Sequence, residues 1–450
     1  MKTLRKVMAA VAGWGAAASA ALAVSVPAVF SDNLVLQQDV KAPIWGKGTP
    51  GETITVTLGD QTEKVTTRPD GKWKCLLRPM KAGGPLTLTI TGTNTIAITN
   101  VLAGEVWLCG GQSNMQFPVM NATNAAAAMA AAAFPDIRMF TAKAVVMGEP
   151  QDDVPGRWEV CSPETVKTFS AVGYFFGREI HKARRIPVGL IHSSCGWTPG
   201  EAWMPREALL AEPDLRYIVD RWDAIASGYP AAEKVYDAKM AEWRQAVERT
   251  KTEGKESPPQ PKGPPDPNFI HRASGLWNGS IAPFIPYAMR GVIWYQGETN
   301  EVRGHQYRRL FQALIRGWRE KWGLGDFPFL FVQVSAVLPP DPQPVESEWA
   351  ELREAQAMAL ALPKTGMAVT IDIGDEKDVH PKNKQDVGRR LSLAARALVY
   401  GEDVPYSGPI CKAMKVEGHA IRLSFDHADK GLMAKGGEAP RGFDIAGADR

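Results

Sequence analysis

The hydroxyl of Ser113 sits in Gly104-Glu-Val-Trp-Leu-Cys-Gly-Gly-Gln-Ser-Asn-Met115, where a run of buried type (Val106 to Cys109) stops at two glycines. Glycine has no Cβ and accepts positive φ, so a strand ending in Gly-Gly can turn sharply and hold the next side chain on a tight bend. The pattern is not Gly-x-Ser-x-Gly, because Met115 stands where the last glycine would be. Serine is a weak nucleophile until a base takes its proton. The candidate base is His380 in Asp378-Val-His-Pro381, 267 positions downstream. An imidazole with an ordinary pKa of about 6.5 accepts and returns a proton near neutrality. Of the seven histidines, His380 is the one that follows the end of an apolar run (Thr370-Ile-Asp-Ile-Gly374) and an acidic loop (Asp375, Glu376, Asp378). Asp378 can accept from the second ring nitrogen, which fixes the tautomer and stabilises the imidazolium. The chemistry on offer is nucleophilic attack with a covalent intermediate.

Two more blocks follow apolar runs. Gly291-Val-Ile-Trp-Tyr295 ends in Gln296-Gly-Glu-Thr-Asn300, and Val188 to His192 leads into Ser193-Ser-Cys-Gly-Trp-Thr-Pro-Gly-Glu-Ala-Trp203. Amide side chains such as Gln296 and Asn300, and a backbone N–H such as that of Gly196, can stabilise an oxyanion; losing one such donor costs roughly 100- to 1000-fold in rate. Asp372, Asp375, Glu376, Asp378 and His380 can also be read as metal ligands, but no His/Asp pair at helical spacing accompanies them. No metal or cofactor is expected. The five cysteines are scattered without a Cys-x-x-Cys pair, which argues against a zinc site or a disulfide scaffold.

These groups need a frame that brings them to one edge. From about 104 to 400 the predicted elements alternate. Strands are expected at 105–108, 137–140, 188–192, 291–295, 329–334 and 368–371, and helices at 122–133, 171–182, 306–322, 348–361 and 386–399. Such alternation predicts an α/β fold, a mostly parallel sheet covered on both faces, with its site at the carboxyl edge. Residues 24–103 read as an N-terminal β-sandwich, with β-rich runs at 53–58, 63–67, 73–77 and 86–90 between Pro/Gly/Asp turns. Residues 212–254 are strongly helical and lead into Ser257-Pro-Pro-Gln-Pro-Lys-Gly-Pro-Pro-Asp-Pro267, so an inserted helical arm over 212–267 returning on a stiff segment is expected. Residues 401–450 form a short C-terminal β segment, expected to be incomplete.

Composition bounds the partners. The chain is 44% hydrophobic and 22% charged, which is globular rather than disordered. Residues 1–23 read as an export signal: Lys2, Arg5 and Lys6 precede an Ala-rich apolar stretch ending in Ala21-Leu-Ala23. Its removal takes net charge from +3 to zero, which favours neither nucleic acid nor an anionic membrane. A periplasmic or extracellular location is expected, and sequence does not address oligomeric state.

Together the blocks resemble the SGNH hydrolase superfamily and, more closely, the sialate O-acetylesterase family of carbohydrate esterases. The stretches that carry the likeness are Phe30–Gln37, Gly104–Met115, Ser170–Glu179, Arg290–Asn300 and Asp378–Leu391. The resemblance implies a three-layer SGNH-like catalytic domain over 104–400, Ser113 as nucleophile and His380 as base. It implies oxyanion donors from the Ser113 and Gly196 backbones and from Gln296 or Asn300, and removal of acetyl from an O-acetylated sugar without a cofactor. The superfamily usually shows Asp-x-x-His, whereas position 377 is Lys, so the acid is Asp378, Asp375 or absent. A sialate substrate calls for a cation such as Arg303 or Arg272. An esterase on acetylated xylan or pectin, and a sugar-binding relative without catalysis, are the alternatives.

Overall fold

The structure, a computed structural model, describes residues 23–341 and 345–434, with 436, 437, 443, 445 and 447 beyond them. The expected export signal at 1–23 therefore lies, but for its last residue, outside the described residues, as does much of the end of the expected C-terminal segment.

The strands, in chain order, are β1 (Val35–Gln37), β2 (Ala42–Lys47), β3 (Thr53–Leu58), β4 (Gln61–Thr66), β5 (Lys72–Leu77), β6 (Gly83–Thr91), β7 (Thr95–Gly111), β8 (Phe134–Thr141), β9 (Trp158–Cys161), β10 (Val188–Ser194), β11 (Gly291–Tyr295), β12 (Phe329–Val332), β13 (Thr365–Ala368), β14 (Ile410–Glu417) and β15 (Ala420–Asp426). The α-helices are α1 (Ser113–Gln116), α2 (Ala125–Ala130), α3 (Ala171–Arg184), α4 (Arg206–Ala211), α5 (Arg216–Thr252), α6 (Gly304–Trp322), α7 (Glu348–Met358) and α8 (Lys384–Leu398).

The N-terminal strands alternate because one face is buried and one is wet. Ile54, Val56 and Leu58 of β3 point inward between outward threonines, and Trp73, Cys75 and Leu77 do the same in β5. β3 pairs antiparallel with β4 and β6, and β2 with β5. β7 then does two jobs. Its first half pairs antiparallel with β6. From Glu105 it becomes the centre of a parallel sheet, between β10 and β11. The composition shift at 103/104 thus falls inside one continuous strand of 17 residues.

The parallel sheet has the order β13-β12-β11-β7-β10-β8, with β9 antiparallel at the edge. Its central strands are buried on both faces, and successive side chains feed opposite layers. Trp107, Cys109, Ile293, Tyr295, Leu330 and Val332 meet α3 and α8 on one side. Val106, Leu108, Val292, Trp294, Phe329 and Phe331 meet α6 on the other, in one core continuous with the N-terminal strands. The flanking helices begin and end on local signals. Ser170 accepts from Gly173 N–H to cap α3, Asn383 caps α8 through Asp386 N–H, and Gly323 ends α6 in a left-handed conformation.

Several expected elements differ from their sequence boundaries, three of them for a visible reason. β13 spans 365–368 rather than 368–371, because it pairs only along Phe329–Val332, from Thr365 to Ala368. Ile371–Ile373 is a 3-10 turn. The Ala-rich helix is confined to Ala125–Ala130, since Asn124 adopts φ +57 and interrupts it. α5 is one helix of 37 residues with Pro230 inside it and only Ile218, Val219 and Met240 buried. The proline segment returns beside it, with Trp243 Nε1 donating to Pro258 O at 2.9 Å. Among the described residues β14 and β15 pair only with each other, as an exposed hairpin.

Candidate active site

The bend before Ser113 depends on Gly111. Its φ is +140, and a Cβ there would lie 2.1 Å from Tyr295 O in β11, so no side chain fits. Gln112 follows in an extended conformation, donates its N–H to Tyr295 O at 2.9 Å, and turns its side-chain oxygen to Gly297 N–H at 3.3 Å. Ser113 then opens α1 at the carboxyl edge of the sheet. The first N–H groups of a helix have no intrahelical acceptor, so they are available to a ligand.

The structure brings His380 to this serine: Nε2 lies 2.8 Å from Ser113 Oγ. Asp378 Oδ1 lies 3.3 Å from His380 Nδ1 and accepts the His380 backbone N–H at 2.8 Å. Asp375 does something else. Its Oδ1 accepts from Lys377 N–H at 2.9 Å, so the carboxylate beside the ring is that of Asp378. Gly196 is adjacent as well, since a Cβ on it would lie 3.5 Å from Ser113 Cβ. Its N–H is occupied by Gln116 Oε1 at 3.0 Å.

Gln296 and Asn300 are brought together but face each other. Asn300 Oδ1 sits 2.7 Å from Gln296 Nε2 and accepts Gly200 N–H at 2.9 Å, while its Nδ2 donates to Glu201 at 3.0 Å. The Tyr307 hydroxyl lies 2.7 Å from the Gln296 amide. Both amides are buried, and among the described residues neither hydrogen-bonds to Ser113, Gly196 or His380. The acidic stretch offers no metal cage: Asp372 forms an ion pair with Arg390, and no group of three or more His, Cys, Asp or Glu among the described residues is placed to hold an ion. All five cysteines are free.

Sequence reasoning missed what lies beneath. Asn114 Nδ2 donates to Val379 O at 2.9 Å and to Glu298 Oε1, and its Oδ1 accepts from Lys384 Nζ. This one amide therefore joins the residue after the nucleophile to the residue before the imidazole. Lys384 is fully buried, its ammonium 4.9 Å from the Phe117 ring centre and 5.2 Å from that of Tyr295. Burial pushes its pKa down to about 7, against the opposing pull of Glu298 and Asp378. Burial also raises the Glu298 carboxyl, whose Oε2 has no hydrogen-bond partner among the described residues. Asn114 and Glu298 lay inside the motifs that drew attention. Lys384, a lysine at a helix start, reads from sequence as solvated.

A parallel sheet with helices on both faces, and an alcohol and an imidazole in contact at its carboxyl edge, is an arrangement suited to hydrolysis through a covalent ester. The profile of the family described as "Carbohydrate esterase, sialic acid-specific acetylesterase" matches residues 268–397. The sialate O-acetylesterase of Rattus norvegicus is 34% identical over 442 residues, covering 89% of this chain and 78% of that one. The Homo sapiens sialate O-acetylesterase is 31% identical, covering 91% and 77%. A solved carbohydrate acetylesterase from Xanthomonas citri superposes with a TM-score of 0.80 at 35% identity, covering 95% of this chain and 87% of its own. The chain belongs to the sialate O-acetylesterase family.

Proposed function

We propose that the chain hydrolyses O-acetyl esters on sugars, with O-acetylated sialic acid as substrate, through an acetyl-enzyme on Ser113. The observation that carries this reading is the 2.8 Å contact between Ser113 Oγ and His380 Nε2, across 267 positions of sequence. The sialate choice is supported by the relatives' names and by the family description. Ser113 Oγ attacks the acetyl carbonyl carbon while its proton passes to His380 Nε2. The carbonyl oxygen takes the negative charge, facing the N–H groups of Gly196 and Ser113. For Gly196 this requires Gln116 to swing aside. Asp378 steadies the imidazolium at Nδ1. The C–O bond to the sugar then breaks, the leaving oxygen takes the proton from His380, and a water deprotonated by the same ring releases acetate. A third donor from Gln296 or Asn300 turns toward the oxyanion only by exchanging one of its present partners. The reading includes an SGNH-like three-layer catalytic unit, an N-terminal β-sandwich and export by the 1–23 signal.

Acetate release from an acetylated sialic acid tests it. With the fold intact, His380→Ala is expected to lower kcat/KM by about 100- to 10,000-fold, the range for removing general acid–base help, and Ser113→Ala by at least as much, since no acetyl-enzyme can then form. Undiminished turnover by Ser113→Ala would refute the reading.

A further inference from the structure

A cavity of about 540 Å³ opens between the sheet loops and the inserted arm. On the sheet side it is lined by Pro199, Glu201, Thr299 and Arg303, which continue the two loops that carry Gly196 and Gln296. On the other side are Tyr217, Arg221 and Trp222 of α5, with Phe269 and His271 beyond the proline segment. The volume is that of a small-ligand pocket, whose usual range is about 300–1,000 Å³. Packed against two of the lining residues, Phe269 and His271, is Trp197, the residue after Gly196. Its φ is +57, a region a bulky side chain occupies at a cost, and its side chain is 62% exposed. Neither burial nor backbone preference explains this tryptophan. What holds it comes from the end of the insertion: His271 Nε2 contacts Trp197 O at 2.7 Å, and the indole meets the His271 and Phe269 rings edge-on at 4.7 and 5.7 Å.

The charges in this cavity sort themselves. Glu201 is neutralised from within, by Arg303 at 2.8 Å and the Asn300 amide at 3.0 Å. Asp266 caps the Asn268 N–H at 2.7 Å. Arg221 is exposed and, among the described residues, forms no ion pair; its guanidinium lies 5.9 Å from the Trp222 ring centre. We infer that this cavity is the sugar subsite of the esterase: one ring stacks on Trp197, and Arg221 pairs with the carboxylate of that ring. The insertion, not the catalytic loops, then sets the preference for an acidic sugar. The inference rests on the acetylesterase reading above.

The test uses the full chain and three substrates: a 9-O-acetylated sialic acid, its C1 carboxamide, and 4-nitrophenyl acetate. The wild type is expected to prefer the acid over the amide by about tenfold in kcat/KM, the scale of one charge-assisted pair. Arg221→Gln is expected to bring that ratio close to one. Trp197→Asn, a residue that tolerates left-handed backbone, is expected to retain the thermal midpoint and to lower the ratio of acetylated sugar to 4-nitrophenyl acetate by about tenfold, through lost stacking. A wild type indifferent to the carboxylate, an Arg221→Gln ratio like the wild type's, or a Trp197→Asn loss equal on all three substrates overturns the subsite. A wild type that cleaves none of the three overturns instead the esterase reading on which it rests.

Discussion

The buried Glu298–Asn114–Lys384 cluster makes stability and catalysis separable. Keeping the Lys384 ammonium charged where its pKa has fallen from 10.5 to about 7 costs up to about 5 kcal/mol. The sign follows from proton counting. Between about pH 7 and 10.5 the unfolded chain holds the proton and the folded chain does not, so the lysine makes stability rise with pH across that window and stay flat below it. Glu298 and Lys384 meet through Asn114 rather than in a direct ion pair, and Lys384→Met alone, which leaves Glu298 buried without its nearby cation, is expected to destabilise the fold. Replacing both, as Glu298→Gln with Lys384→Met, removes both desolvation costs, and such exchanges are commonly neutral or stabilising by about 1–4 kcal/mol. The double variant is therefore expected to match or exceed the wild type in urea denaturation and to lose the rise in stability above about pH 7. Its kcat should nonetheless fall. Asn114 loses the ammonium that fixes its oxygen, and with it the rigid link from Ser113 to Val379 and His380. A displacement of about 1 Å at the reacting groups costs on the order of 100-fold. Turnover of 4-nitrophenyl acetate measures it. A stable double variant with full kcat, or one that keeps the alkaline slope, would refute the reasoning.

The other predictions are smaller in reach. His192 is buried with its pKa pushed down to about 4, so between pH 6.5 and about 4 the unfolded chain takes the extra proton and stability falls with pH, by up to about 3 kcal/mol; His192→Gln should flatten that acid limb in denaturant titrations. Glu105 is buried at the end of the β7 parallel segment remote from Ser113, bonded to Arg290 at 2.6 and 2.8 Å, Gln38 at 2.7 Å and Tyr400 at 3.0 Å. Glu105→Ala should cost about 3–5 kcal/mol of stability and leave kcat of the folded protein unchanged, and a kcat loss at preserved stability would contradict this. Gln116→Ala frees the Gly196 N–H, and kcat/KM should rise by about two- to tenfold, the worth of one exchanged hydrogen bond. A large fall would mean that Gln116 positions Gly196 instead of covering it.

Much of the frame was legible because it rests on local chemistry. The parallel strands read as apolar runs, and β11 spans the expected 291–295. α3 begins at Ala171, where the helix was expected to begin. What escaped depends on partners distant in sequence. β13 stops where β12 stops, a fact of pairing that its own residues do not encode. Lys384 is buried because α8 presses its first turn between the Phe117 and Tyr295 rings, which no periodicity reveals. Burial along β7 changes from partial to continuous at Val101, within a strand that never breaks.

The polar block after β11 shows why a motif can be dense without each member touching substrate. Asn300 accepts the Gly200 N–H and donates to Glu201, which in turn holds Arg303. The loop carrying Gly196 and Trp197 is thus tied at Gly200 and Glu201 to the loop carrying Asn300 and Arg303. A buried amide network of this kind is stiff, because each broken bond strands a group away from water. The wall of the sugar cavity and the Gly196 donor are consequently one mechanical unit. Asn300→Ala should then raise KM for the acetylated sugar and lower kcat together. A variant that changed KM alone, with kcat intact, would show the two loops to be independent.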